Sequence, residues 1–145
     1  MSKREESEGR PPNRAQFQVL ADVRIRESLA LLSSEHWAGA YYLAGYSIEC
    51  ALKACIARKT RQFDFPDRDF ANQVWTHKLA SLLKSAGLEE ELTRETVDLQ
   101  ANWAVVKDWR EDRRYAVSGE LDARSLVTAI VDPANGVLPW LKSHW

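Results

Sequence analysis

The sequence predicts an all-α protein, an up-and-down bundle of four to five antiparallel helices ending in a kinked one. Three observations lead there. Apolar residues recur at steps of three and four along most of the chain, the spacing of one helix face. No stretch alternates apolar and polar side chains as a half-buried strand does. Residues that start or stop helices bound the periodic segments: Asn13 after two prolines, Thr76, and Gly87.

The first helix is predicted from about Asn13 to Ser34, with Phe17, Leu20, Ala21, Ile25, Leu29 and Leu32 as its apolar stripe and Asn13 as its N-cap. The second spans about Trp37 to Arg58 along Trp37, Tyr41, Ala44, Ile48, Ala51, Leu52 and Cys55. Its small residues Gly39, Ala40, Ala44, Gly45 and Ala54 let neighbours approach on more than one side, as in the central helix of a bundle. Residues 60–75 contain Pro66 and no clear period, and read as a loop. A third helix follows in "THKLASLLKSAGL", with Thr76 as N-cap and Gly87 just past its end. A fourth is expected from about Glu89 to Trp109, its stripe being Leu88, Leu92, Leu99, Trp103 and Val106. The stretch "AVSGE" reads as a turn around Gly119. The last helix starts near Leu121 and keeps phase through Ala123, Val127, Ile130, Ala134, Val137 and Leu141. Pro133 removes a backbone donor, so a kink or a restart is expected there, with Asp132 as the new cap and Pro133 as the first helical residue.

The 145 residues suit one domain, residues 13–145, behind a charged lead-in at 1–12 that reads as a disordered tail without a signal-peptide core. Twenty basic residues against twenty-one acidic ones leave a net charge of −1, so an anion must be gripped by a local patch rather than by overall charge. Cys50 and Cys55, five apart on a helix, have Cα atoms roughly 8 Å apart and turned from each other. They read as reduced core fillers of a cytoplasmic protein. The apolar run 37–57 is interrupted by Glu49 and Lys53, and falls short of the roughly 18 uncharged residues a membrane span needs.

Several chemistries lack their residues. His36, His77 and His144 are too dispersed for a zinc site, and there is no CxxC. Neither a Gly-rich phosphate loop nor a nucleophile elbow is present, so no cofactor is implied. Three places remain. Glu49 and Lys53 form an i,i+4 pair in the favourable order, either a solvated or rim ion pair or, with Tyr42 and Tyr46, a polar seam facing other helices. His77 and Lys78 stand at an expected helix start, either as surface groups or beside a phosphate. The run "DWREDRRY" is either the solvated end of the fourth helix or a phosphate grip, in which Arg113 and Arg114 offer paired donors and Tyr115 a stacking face.

Three stretches taken together resemble the HEPN domain family (higher eukaryotes and prokaryotes nucleotide-binding domain). They are "AGAYYLAGYSIECALKACIARK" with its Glu49-x-x-x-Lys53 pair, "THKLASLLKSAGL", where Lys78 replaces the family's acidic residue, and "RRY" after the fourth helix. The resemblance covers roughly residues 14–143. It implies a compact bundle, commonly a homodimer, with a groove near the dimer contact associated with nucleotide or RNA binding. It also implies, as partner, a small nucleotidyltransferase, in some cases as a toxin–antitoxin pair. Many members are metal-independent ribonucleases carrying Arg-x4–6-His. Here that motif is missing: no histidine follows Arg110, Arg113 and Arg114 until His144, and Arg68 and Arg26 lie too far before His77 and His36. The expectation is a non-catalytic HEPN-like domain, with Glu49, Lys53, His77, Lys78, Arg113, Arg114 and Tyr115 toward a nucleotide, RNA phosphate or partner protein. The alternatives are a divergent ribonuclease that recruits His77, and a purely structural interaction module.

Overall fold

A computed structural model describes residues 12–62, 74–112 and 117–145. Within them lie seven helices and no strand: α1 (Arg14–Ser33), α2 (Trp37–Gln62), α3 (Leu79–Ser85), α4 (Glu89–Thr93), α5 (Val97–Val106), α6 (Glu120–Val131) and α7 (Val137–Lys142). The all-helical bundle is as predicted. The expected tail and most of the expected loop at 60–75 fall outside the described residues.

Helix α1 begins at a reciprocal cap. The Asn13 side chain accepts from the Gln16 backbone N–H at 2.9 Å, and the Gln16 side chain accepts from the Asn13 N–H at 2.8 Å. It ends in a reversal at Glu35, whose φ of 62° is left-handed. Glu35 N–H donates to Leu32 O and His36 N–H to Leu31 O, the double closure of a Schellman motif. The chain returns as α2, which packs against α1, α3, α6 and α7 and is the centre of the bundle. Ala40, Ala44, Ala51 and Ala54 are fully buried along it. Two buried hydroxyls fix the antiparallel register: Ser28 donates to Ala40 O at 2.6 Å and Ser47 to Ala21 O at 2.7 Å. The innermost α1 positions are therefore Ala21, Ile25 and Ser28, whereas Leu29, expected in the stripe, is exposed.

Helix α3 closes at Gly87, whose φ of 72° suits a residue without Cβ. Gly87 N–H donates to Lys84 O and Leu88 N–H to Leu83 O. The predicted fourth helix is divided. Thr96 accepts from Leu99 N–H at 3.1 Å and restarts the helix as α5, three residues after α4 ends at Thr93. Leu92, Leu99, Trp103 and Val106 remain buried across the break. Of the kink or restart expected at Pro133, the structure shows the restart, but with Gly136 rather than Asp132 as the cap. Asp132 accepts from Asn135 N–H at 2.7 Å, making a turn that exposes Ala134, and α7 begins only after Gly136. Gly119 is the N-cap of α6 rather than the middle of a turn. The Asn135 turn is tied to α5 by Thr96 Oγ1 at 2.7 Å and by Asn102 Nδ2 donating to Asn135 O at 2.8 Å. No described helix is long and apolar enough to cross a membrane.

Candidate functional site

Halfway along α2, the core-facing stripe meets a charged side chain. Glu49 is 2 % exposed, between Ile48 and Cys50, which are also buried. A carboxylate removed from water to this degree stays charged only with partners. It has two. Lys53, one turn on and 11 % exposed at its side chain, places Nζ 3.3 Å from Oε2. His77, from the segment before α3, places Nδ1 2.6 Å from Oε1. The pair is not solvated: Glu49 is buried and Lys53 nearly so, which leaves a pair at the rim of the core, reached from outside through His77.

The backbone explains how His77 arrives. Thr76 was expected to cap the third helix. Instead its Oγ1 accepts from Lys78 N–H at 3.1 Å, a local turn, and the helix starts at Leu79 with Lys78 at the cap position. The turn holds 76–78 outside the helix, so His77 lies against α2 while Lys78 stays exposed. The His77 side chain is 43 % exposed. With Nδ1–H donating to the carboxylate, Nε2 is left on the far edge of the ring, and among the described residues no hydrogen bond engages it.

Aromatic rings border the pair. Tyr42 and Tyr46 lie one turn apart with centroids 5.9 Å from each other. Burial, then the charge of Glu49, raises the Tyr46 phenol above its ordinary value. The same two causes push the Cys50 thiol up to about 11. Trp109 is buried, with its ring 6.1 Å from that of Tyr42. It sits over Gly45, where a Cβ would land inside the indole. Sequence reasoning missed this docking, although a glycine in the middle of the alanine-rich α2 was its signal.

The docking also corrects the expectation for the arginine run. Helix α5 ends at Val106 with Lys107 as its cap, before the run begins. Trp109 instead pins the start of the run to α2 one turn from Glu49, with Arg110 exposed. Arg113, Arg114 and Tyr115 lie outside the described residues. The structure thus brings together Glu49, Lys53 and His77, sets Lys78 beside them in sequence and exposed, and leaves that corner undescribed. Among the described residues no three His, Cys, Asp or Glu side chains gather as metal ligands would. No protein-family model matches the chain, and neither a curated protein nor a solved structure does.

Proposed function

We propose that the chain is a HEPN-like binding domain whose polar seam takes a phosphate group of a nucleotide or an RNA strand without cleaving it. The observation that carries this reading is the buried Glu49 carboxylate, which orients a half-exposed imidazole and a lysine at one point of the surface. Glu49 offsets one positive charge. Lys53 and the neighbouring Lys78 exceed it, and His77 adds a ring N–H donor, so the local balance favours an anion although the whole chain is slightly acidic. The three-part sequence resemblance supports the same ligand class. It also makes a second copy of this chain and a small nucleotidyltransferase the expected protein partners. Free, buried Cys50 and Cys55 fit a reducing, cytoplasmic setting.

The test is a thermal-shift series with nucleoside mono-, di- and triphosphates and short RNAs, since a ligand preferring the native state raises the midpoint. A saturable rise that falls with added salt and is lost in His77→Gln is expected. Flat midpoints with every phosphate ligand would overturn the reading.

One observation favours a second reading, metal-independent RNA cleavage. A histidine whose Nδ1 is held by a buried carboxylate has the orientation of a general base. Incubating single-stranded RNA with the protein in excess chelator decides it. Cleavage that disappears in His77→Ala would replace the binding reading by the enzymatic one.

A further inference from the structure

Five of the six tryptophans are part of the core or packed against it: Trp103, Trp109 and Trp140 buried, Trp37 and Trp145 partly so. Trp75 is the exception, 67 % exposed and two residues before His77. A tryptophan is the largest apolar surface a residue can leave in water, and Trp75 is the one aromatic ring among the exposed large apolar side chains of the described residues. Its position is also not arbitrary along the chain. The Glu49–His77 contact and the Thr76 turn fix the 76–78 segment against α2, so Trp75 leads directly into the basic cluster of Lys53, His77 and Lys78.

Resting on the phosphate-binding reading above, we infer that Trp75 is a stacking platform for an unpaired nucleobase whose phosphate lies at His77, which makes the ligand class single-stranded RNA or a free nucleotide rather than duplex. Two consecutive chain steps place the Cα atoms of Trp75 and His77 at most about 7 Å apart. That is the reach between the base and the phosphate of one nucleotide. An exposed indole offers a flat face to any base, and cationic neighbours hold the backbone, the combination used for single strands. In a duplex the base faces are already covered by their neighbours, so the same ring finds no partner. The ring makes no demand on base identity, and recognition at this position is by shape and charge.

The experiment uses the full chain and a fluorescently labelled single-stranded RNA of about ten nucleotides, followed by anisotropy, with the same RNA annealed to its complement and with inorganic polyphosphate as competitors. Wild-type protein is expected to prefer the single strand. Trp75→Ala should weaken single-strand binding about tenfold, the scale of one lost base stack, while Trp75→Phe retains most of it. Competition by polyphosphate should be the same for wild type and Trp75→Ala, because polyphosphate has no base to stack. If Trp75→Ala binds the single strand as wild type does, while His77→Gln does not, the phosphate site stands and the platform is refuted. If Trp75→Ala loses polyphosphate equally, the ring supports the site's structure and the platform is again refuted. If wild type binds no RNA, nucleotide or polyphosphate, the phosphate reading fails and takes the platform with it.

Discussion

His77 Nδ1 lies 2.6 Å from Oε1 of Glu49, twenty-eight residues earlier in the chain, and the carboxylate it meets is 2 % exposed. The contact ties the segment before α3 to the middle of α2. Removing the carboxylate leaves Lys53 enclosed without its counter-charge, and Glu49→Gln is expected to cost about 3–5 kcal/mol. His77→Ala is milder, about 1–2 kcal/mol, because the ring is half-exposed and Lys53 still serves Glu49. Urea midpoints read both. In Glu49→Gln/Lys53→Met the cost should fall below the sum of the single changes, since neither charge is then stranded. A strictly additive double mutant would mean the two side chains do not interact.

Gly45 and Trp109 set a second expectation. Alanine normally favours a helix by about 1 kcal/mol over glycine. At position 45 the added methyl would occupy the space of the Trp109 ring. Gly45→Ala should therefore destabilise, by about 1–3 kcal/mol, and shift tryptophan emission to the red as the indole is expelled. An increase in melting temperature would show that the ring can move aside at little cost.

Much of this was legible from the residues. Asn13 and Gly87 act where their chemistry placed them, and the stripe of α2 is buried as its period requires. The stripe Leu92–Leu99–Trp103–Val106 was also correct, yet it concealed a break. Seven residues are close to two helical turns, so Leu92 and Leu99 keep one phase whether or not the helix continues between them. Thr96 decides the matter by accepting from Leu99 N–H, and its hydroxyl also bonds Asn135, distant in sequence. The site was half legible. Glu49 and Lys53 announce themselves by spacing, but their burial depends on how the other helices pack around α2. Trp75 gave no signal, because exposure of one tryptophan among six is a tertiary property.

The thiols give a pH prediction. Burial pushes Cys50 up to about 11 and Cys55 up to about 12 from an ordinary value of 9.0, and it also raises Tyr46. In the unfolded chain these groups ionise at their ordinary values, so above about pH 9 the folded state retains protons the unfolded state has lost. The stabilisation is complete below pH 9 and declines as pH rises toward 11. Urea midpoints should be level from pH 7 to 8.5 and fall thereafter, less steeply in Cys50→Ala/Cys55→Ala. A thiol-reactive chromophore should label native protein only at the rate of unfolding, and immediate labelling at pH 8 would contradict the burial.

Glu35 holds a left-handed conformation at the end of α1, with φ 62°. A side chain in that region costs roughly 1–2 kcal/mol, against which glycine loses more freedom on folding. Glu35→Gly should raise stability by up to about 1 kcal/mol, seen as a modest increase in melting temperature. A decrease would imply that the glutamate side chain contributes more at the turn than its backbone costs.

The serine bonds between α1 and α2 bear on how the chain assembles. Ser28–Ala40 and Ser47–Ala21 are contacts of short loop length, closed by a three-residue reversal, whereas α6 and α7 must return from the far end to cover the same helix. Closing a short loop loses less entropy than closing a long one. The hairpin of α1 and α2 is thus the natural nucleus. Its amide hydrogens should be the last to exchange with deuterated solvent, and substitutions such as Ser47→Ala should slow refolding more than they hasten unfolding.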